Sequence, residues 1–470
     1  MSPFRGLAAG MIASFLALAG CTSEDRQSAE GAASDGVSPA PSASRVVSSP
    51  SSLPSSRAPA LTWGAAQHIA DRQLDPDAPT GLLRVRGRAS TAVWEVPEKG
   101  RYAYSRIEVS STTSHGHWGR PATVVPRGKG SIGSLDLALG PAHMAALAWN
   151  RTDDPSVMVR TRTGPDARWG RAKVLGRGGS AQLAMDAHGV ISATWLGNRG
   201  ITAARRIHGR WEQPQILGRY GGDPDIAVSK RGDVAVAWPT EHGVGVAVRR
   251  SGTKAWSTPT FIRSSIAYPG DVGIAIGDHG RALVMWVRSE EEADYASRYI
   301  GWAQSTPATG WSNAGYLDVR PRRDALGGEI DLSMNPRGQA VAVWTSEPGV
   351  RATRFDFQHG WADPMSPARD AYGPTAFMTD SGTALIVLNN HFMERGRDWG
   401  YQQGNGGWAM SGALTKGDPL SSDGHSQRLG ILYYVRPHLI ARTLEIPSHG
   451  LAATPADQGL PPSPHTPTGP

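Results

Sequence analysis

Short apolar runs made of small residues and closed by tryptophan recur along most of the chain. They place Ala and Val at successive positions, with no alternation between apolar and polar side chains. This pattern predicts a strand that is covered on both faces, because neither face meets water. The clearest examples are MAALAWNR (144–151), VISATWLG (190–197), DVAVAWPT (233–240), RALVMWVR (281–288) and QAVAVWTS (339–346).

Two interleaved tryptophan series divide the chain into units. The tryptophans of the first series close the apolar runs at intervals of 43 to 58 residues, and each second-series tryptophan precedes a first-series residue by 26 to 33 positions. Such self-similar intervals indicate a repeat architecture. The first series is Trp94, Trp149, Trp195, Trp238, Trp286 and Trp344, continued by Leu388 and Tyr434. The second series is Trp63, Trp118, Trp169, Trp211, Trp256, Trp311, Trp361 and Trp408.

Each unit also repeats a hairpin signal. Turns such as SKRGD (229–233) and NPRGQ (335–339) begin with a polar residue and carry glycine later, which is typical of tight turns between strands. Four short strands per unit and no helical period predict an all-β chain, folded as a β-propeller of eight four-stranded blades. Seven blades is the alternative, because the eighth unit has a poor first strand. An open β-solenoid would have shorter and more uniform periods, and separate β-sandwiches would have fewer units.

The ends of the repeat region predict how the ring closes. Trp63 belongs to a fourth strand without a preceding three, whereas the last unit (427–446) has middle strands and no fourth. We therefore expect the N-terminal strand to complete the C-terminal blade.

The first residues predict export and a lipid anchor. Arg5 precedes an apolar stretch that ends in Leu-Ala-Gly-Cys at Cys21, which resembles the bacterial lipobox. That resemblance implies a lipoprotein signal peptide (1–20), cleavage after Gly20 and lipidation of the Cys21 thiol. The alternative is a plain secretory signal with an incidental cysteine. Because Cys21 is the only cysteine, we expect no disulfide and no cysteine metal site.

Composition sets the remaining boundaries. Residues 21–60 are rich in Ser, Ala and Pro and are expected to form a disordered tether, while 447–470 are expected to form a disordered Pro-rich tail. The β-propeller is assigned to 61–446.

Segments before the second-series tryptophans resemble the Asp-box of bacterial neuraminidase repeats, Ser-x-Asp-x-Gly-x-x-Trp. The nearest stretches, 163–173 and 249–259, are degenerate matches. The resemblance implies a strand-turn-strand corner on the scaffold and carries no activity. The general pattern is also similar to secreted propeller lipoproteins of high-GC Gram-positive bacteria.

Extra length in three connections marks candidate ligand-binding loops. By the alternation of strand direction, residues 288–301, 317–329 and 389–401 emerge on the same face of a propeller, where a rigid scaffold presents functional loops. Their acidic, basic and aromatic side chains suit a sugar or an anionic group, although a solvated surface run has the same composition. The candidate residues are Glu290, Asp294, Tyr295, Arg322, Arg323, Asp324, His391, Glu394 and Trp399.

The sequence contains no hydrolase, zinc-protease, P-loop or dinucleotide fingerprint. The pair His115 and His117 has no indicated third ligand, so no metal and no cofactor are expected. The formal net charge of +7 is spread out, and an exported protein does not meet nucleic acid. Anionic wall polymers or lipid headgroups are the expected electrostatic partners.

These observations predict a lipoprotein on the extracytoplasmic face of the cell membrane. Its propeller is expected to be a non-catalytic binding or scaffold module for a cell-wall glycan, another carbohydrate or an envelope protein. The alternative is a glycan-active enzyme of sialidase-like architecture, which needs a carboxylate pair, or a tyrosine with a glutamate, and convergent arginines. Tyr295 and the nearby acids are the only hint of that chemistry.

Overall fold

A computed structural model describes residues 61–447 of the chain, apart from 73, 75–79, 99–100, 114–115, 166, 220, 265–268, 289–297, 321–325, 347–348, 370, 391–396, 403–406 and 412–417. The described residues form strands and turns, with one short 3-10 turn at Pro141–His143. The all-β prediction is therefore confirmed. Within the described ranges, no helix has the length and hydropathy needed to cross a bilayer.

The strands are short, and most have five to nine residues. In chain order they are β1 (Gln67–Asp71), β2 (Gly81–Arg86), β3 (Ala89–Glu98), β4 (Arg101–Ser111), β5 (Ala122–Lys129), β6 (Ile132–Leu139), β7 (Ala145–Arg151), β8 (Asp154–Arg162), β9 (Lys173–Met185), β10 (Ile191–Gly197), β11 (Gly200–Ile207), β12 (Arg210–Trp211), β13 (Gln215–Gly218), β14 (Asp225–Val228), β15 (Val234–Thr240), β16 (Gly243–Arg249), β17 (Thr260–Arg263), β18 (Pro269–Ile276), β19 (Ala282–Arg288), β20 (Arg298–Thr306), β21 (Gly310–Trp311), β22 (Gly315–Arg320), β23 (Leu326–Met334), β24 (Ala340–Ser346), β25 (Gly349–Asp356), β26 (Gly360–Trp361), β27 (Met365–Arg369), β28 (Ala371–Met378), β29 (Ala384–Asn390), β30 (Arg397–Gln402), β31 (Ala409–Ser411), β32 (Asp418–His425), β33 (Arg428–Val435) and β34 (His438–Glu445).

Consecutive strands pair antiparallel into repeated units of four strands, or of five where two short strands both pair with the third strand, as β21 and β22 pair with β20. Unit 1 is β2–β5, unit 4 is β14–β17, unit 5 is β18–β22, unit 6 is β23–β27 and unit 7 is β28–β31. Units 2 and 3 share one sheet, β6–β13, because the long strand β9 pairs with β8 through its first half and with β10 through its second half. Unit 8 joins β32, β33 and β34 to β1 from the other end of the chain.

The tight turns within the units have the predicted chemistry. In unit 4, Gly232 adopts a φ of 90°, a left-handed conformation that glycine tolerates without strain. In unit 6, Gly338 has the same φ, and the Asn335 side chain accepts the backbone N–H groups of Arg337 and Gln339. Glycine and the polar residue thus fix the hairpin between the first two strands.

The second strand of each unit is buried along most of its length, as its apolar pattern predicts. In β15, every residue from Val234 to Pro239 is buried. The first-series tryptophans of units 1, 3, 4, 5 and 6 are each less than 2% exposed. Units are therefore stacked face to face, with their second strands inside the stack.

Among the described residues, eight clusters of buried apolar side chains fill the spaces between units. Each cluster combines two consecutive units and holds one second-series tryptophan. Between units 4 and 5, for example, Ala237 packs near Ile274 and Trp286. Another cluster joins Tyr434 of unit 8 to Trp94 of unit 1. The result is a propeller-like arrangement of sheets.

In unit 8, one prediction is off by a residue. In the other units, the first-series residue packs into the cluster shared with the preceding unit. In unit 8, Tyr433 packs into the cluster shared with unit 7, whereas the predicted residue, Tyr434, packs against unit 1. In this hairpin His425 pairs with Arg428 across a two-residue turn, as Arg86 pairs with Ala89 in unit 1, where Trp94 does pack against the preceding unit. A shift of one residue turns a strand side chain to the opposite face.

Candidate functional site

The first strands of the units, here called the inner strands, lie side by side. They are β2, β6, the second half of β9, β14, β18, β23, β28 and β32, and β32 of unit 8 lies next to β2 of unit 1. Charged side chains on these strands therefore lie close to those of the neighbouring units.

Five of these strands carry a buried or half-buried aspartate, and we call the five residues the inner aspartates. Each accepts a hydrogen bond from a backbone N–H on the inner strand of the next unit. The pairs are Asp136 with Leu183 (2.6 Å), Asp225 with Ile274 (2.8 Å), Asp271 with Ile330 (3.4 Å), Asp331 with Ala376 (2.8 Å) and Asp423 with Val85 (2.6 Å). Each carboxylate thus connects two neighbouring units.

The second oxygen of the inner aspartates is also occupied in most cases. The backbone N–H that follows the aspartate donates to Oδ1 at 2.8 Å for Asp225, 2.9 Å for Asp271 and 2.8 Å for Asp331. In Asp136, Oδ1 instead accepts Arg84 Nη2 at 2.8 Å. Because both oxygens of Asp136, Asp225, Asp271 and Asp331 are hydrogen-bonded within the protein, these carboxylates link neighbouring units.

Burial sets the protonation of the inner aspartates. It raises the pKa of Asp225 to about 7 and those of Asp271 and Asp423 to about 6, since desolvation disfavours the charged form. The backbone N–H donors oppose this shift, and neighbouring carboxylates add to it. For Asp136, the attraction of Arg84 offsets part of the rise.

Charged side chains bridge separate units where the first and second strands of each unit are joined, here called the hairpin end. Lys230 in the turn of unit 4 donates a 2.7 Å hydrogen bond to Asp380 in the turn of unit 7. Arg86 of unit 1 donates to the carbonyl oxygens of Leu139 and Met185, in units 2 and 3, at 3.0 Å each. The protein's own side chains therefore occupy this end of the inner strands.

His425 of unit 8 lies in the same charged region. Burial lowers the pKa of its imidazole to about 4, and the positive charges of Arg86 and Lys230 lower it further. The ring is consequently neutral near pH 7, so the positive charges of this region are those of Arg86 and Lys230.

A cavity of about 440 Å³ lies at the hairpin end of unit 6. Phe355 and Trp361 form an aromatic wall, and Arg354 and His359 contribute polar groups. An apolar wall with a few polar groups is typical of small-molecule sites. This groove is a second candidate surface, which the sequence did not indicate.

Most of the sequence-predicted site residues lie outside the described residues: Glu290, Asp294, Tyr295, Arg322, Arg323, Asp324, His391 and Glu394. The same is true of Cys21. Trp399 is described, on β30, with a side chain that is 3% exposed. It meets Trp63 edge-on at 5.9 Å and stacks on Tyr401 at 6.0 Å. Trp399 therefore belongs to the core between units 7 and 8.

The strands that flank these loops are described, and they fix where the loops start. Arg298 at the start of β20 pairs with Arg320 at the end of β22. Segments 289–297 and 321–325 consequently leave one sheet from the same end, which we call the loop end. Segment 391–396 joins β29 to β30, whose residues Asn389 and Arg397 are paired. It leaves unit 7 from the corresponding end.

A cluster of two histidines and an aspartate lies at the loop end of unit 8. Asp71 Oδ1 is 2.7 Å from His68 Nε2 and 2.7 Å from His438 Nδ1. Hydrogen bonds from His438 and His68 lower the pKa of Asp71, so its carboxylate is charged. Sequence reasoning missed this group because its histidines are far apart in the chain. The predicted pairing of the N-terminal strand with the last unit was the available signal.

Comparisons with known proteins give fold neighbours at low identity. No protein-family model matches the chain, and no curated protein matches it. The chain is similar to a virginiamycin B lyase from Staphylococcus aureus (10% identity, 67% of this chain and 96% of that chain, TM-score 0.44). It is also similar to the Aleuria aurantia lectin AAL (13%, 61% and 96%, TM-score 0.37) and to the Dos1 propeller (10%, 67% and 93%, TM-score 0.41). We base the functional proposal on this chain's own residues.

Proposed function

We propose that the chain is a closed β-propeller of eight blades, in which units 1 to 8 are the blades. Three observations support this proposal. Every inner strand lies beside the inner strands of the two neighbouring units, including β32 beside β2. A buried cluster joins unit 8 to unit 1. The strand β1 pairs antiparallel with β34.

We propose that this propeller is a non-catalytic binding or scaffold module. The observation that carries the proposal is the engagement of the inner aspartates. Asp225 and Asp331 each hold two backbone N–H groups, and Asp136 holds one together with Arg84. A carboxylate that acts as general acid, base or nucleophile needs an oxygen within reach of substrate. The inner aspartates instead hold neighbouring units together.

The binding surface is proposed to be the loop end, with a carbohydrate or an envelope protein as the partner. At the hairpin end, the Lys230–Asp380 pair and Arg86 occupy the space between units. The long segments 289–297, 321–325 and 391–396 instead leave from the loop end. They bring acidic, basic and aromatic side chains, which suit polar ligands with apolar faces such as sugars.

A loop replacement tests this assignment. In unit 4, only Glu241 and His242 connect the second strand to the third. The two units have the same register, because Trp238 lies opposite Gly245 in unit 4 and Trp286 lies opposite Gly301 in unit 5. Replacing 289–298 by Glu-His should therefore keep the sheet and remove the loop. We expect the variant to retain its Tm and to lose binding in a screen of glycans and cell-wall fragments.

Substitution in the groove of unit 6 provides the control. His359→Ala, which changes an exposed side chain of the groove, should leave partner binding unchanged if the loop end is the binding surface. Loss of binding in His359→Ala, with normal binding by the loop variant, would assign the partner to the groove. Turnover of a glycan by the wild-type chain would support the enzyme alternative instead.

We propose further that the chain is a lipoprotein anchored by Cys21 on the extracytoplasmic face of the cell membrane. The support is the Leu-Ala-Gly-Cys sequence and the absence of any other cysteine. Expression of the full chain in a bacterial host should give a membrane-associated protein, and Cys21→Ala should release it. Mass spectrometry of the N-terminal peptide should find a diacylglycerol adduct. An unmodified cysteine in the mature protein would exclude the lipid anchor.

A further inference from the structure

We propose that His68, Asp71 and His438 form a binding site for a divalent transition-metal ion such as Zn²⁺, and that the ion fastens the N-terminal strand β1 to β34. The inference does not depend on the proposed partner or on the lipid anchor. It concerns the point where the two ends of the repeat region meet.

Local backbone geometry brings the three side chains together. Asp71 lies directly opposite His438 in the pairing of β1 with β34. In a regular strand, residues three apart point to opposite faces, so His68 would face away from Asp71. The register shifts between His68 and Ala70, and this bulge adds one residue to β1. Ile69 and Ala70 are both buried as a result, and His68 and Asp71 are both exposed.

The ligand atoms are close enough for one ion. His68 Nε2, Asp71 Oδ1 and His438 Nδ1 all lie within 4.8 Å of one another. Tetrahedral Zn²⁺ with bonds of about 2.1 Å separates its ligand atoms by roughly 3.4 Å. The two nitrogen–oxygen distances of 2.7 Å would need to open by only about 0.7 Å on that geometry. All three side chains are exposed, so rotation about their side-chain bonds can supply this movement.

Exposure and charge favour a metal ion at this position. The side chains of His68, Asp71 and His438 are 51%, 64% and 49% exposed, so an ion enters directly from solvent. The nearby guanidinium of Arg72 is paired with Glu108 at 2.6 Å, which offsets its positive charge. Two imidazoles and one carboxylate select Zn²⁺, Co²⁺ or Ni²⁺ over Mg²⁺ and Ca²⁺.

The site links segments that are distant in sequence. Because His68 and Asp71 lie on β1 and His438 lies on β34, a bound ion adds a cross-link across this pairing. An ion that binds the folded chain and not the unfolded chain stabilises the fold in proportion to the logarithm of its concentration. Metal binding should therefore be visible both as affinity and as thermal stability.

The test is Zn²⁺ titration of the full-length chain at pH 7.5, by calorimetry and by thermal unfolding. We expect one Zn²⁺ per chain and a Tm that rises with Zn²⁺ concentration. His438→Ala and His68→Ala should each weaken binding by roughly tenfold or more and abolish the rise in Tm. Asp71→Asn keeps the side-chain shape and should also weaken binding, which separates ligand loss from misfolding.

Two other exposed histidines serve as controls. His359 contacts Asp356 at 2.9 Å with the same spacing of three residues but without a second histidine. His117 belongs to the motif His-Gly-His-Trp. Substituting either one by Ala should leave Zn²⁺ affinity unchanged. Equal affinities in the wild type and in His438→Ala, or an unchanged wild-type Tm in saturating Zn²⁺, would overturn the proposal and leave an ordinary hydrogen-bonded pair of histidines.

Discussion

At the residue scale, the packing around the first-series tryptophans explains why glycine faces some of them. Trp238 is fully buried, and its indole lies over the backbone of Gly245 on the next strand. A Cβ at Gly245 would overlap Cε2 and Nε1 of the indole. Unit 5 has the same pair, Trp286 over Gly301. Glycine is required here by close approach and not by backbone conformation.

We predict that Gly245→Ala destabilises the fold. Overpacking a rigid core costs about 1–3 kcal/mol, and neither the indole nor the backbone can easily withdraw. The measurement is the free energy of unfolding in denaturant. Gly407→Ala is the matched control, because an added Cβ at Gly407 meets no atom of the described residues within 4 Å. Equal stabilities of the two variants would contradict the packing account.

Asp225 gives a second prediction at this scale, concerning pH. Burial raises its pKa to about 7 in the folded chain, whereas the pKa of an aspartate in the unfolded chain is about 3.9. Between these values the folded chain holds a proton that the unfolded chain has lost. The free energy of unfolding therefore falls as pH rises through this window, by up to about 1.4 kcal/mol per pH unit for this proton.

The expected result is a flatter pH profile for Asp225→Asn than for the wild type. Tm would be measured from about pH 5 to about pH 8. The exposed aspartate Asp363 supplies the control, and Asp363→Asn should retain the wild-type slope. A wild-type slope in Asp225→Asn would show that this carboxyl does not titrate in that range.

At the element scale, the strands followed closely from the sequence. Apolar runs such as 233–240 predicted the buried second strands, and the polar and glycine positions of 229–233 predicted their turns. The prediction at Tyr434 was wrong by one residue, because the spacing of the tryptophans does not show which face of a strand a side chain takes. The bulge in β1 was also beyond prediction, because it depends on pairing with a strand far along the chain.

The candidate site was less predictable than the strands. Inner aspartates such as Asp136 and Asp331 have no distinguishing sequence context, since their partners are backbone N–H groups of another unit. Trp399 was predicted to be part of a ligand-binding loop because it is aromatic, yet its side chain packs against Trp63. Burial of that kind depends on which strands become neighbours, and a single segment does not encode it.

The strand β1 carries the prediction at this scale. Deleting 61–71 removes Trp63 from the cluster between units 7 and 8 and leaves β34 as an unpaired edge. Exposed edges promote association between chains. We expect a large fall in Tm and concentration-dependent aggregation, measured by thermal unfolding and light scattering. A monomeric chain with unchanged Tm would mean that β1 is not needed to complete unit 8.

At the scale of the whole molecule, the same contacts repeat from unit to unit and meet at unit 8. Each buried cluster has its tryptophan, and many inner strands have a carboxylate or hydroxyl that holds the next unit, as Ser333 Oγ accepts the N–H of Met378 at 3.0 Å. Such repetition supports a rigid body of stacked units. The lipid anchor and the binding partner are proposals built on that body.

The most direct test of the account is an experimental crystal structure of residues 21–470. We predict eight units around one axis, with units 2 and 3 joined through the long strand β9 and residues 61–71 paired with β34 of unit 8. Seven units, an open arrangement in which unit 8 does not contact unit 1, or a strand β1 that packs elsewhere would contradict it.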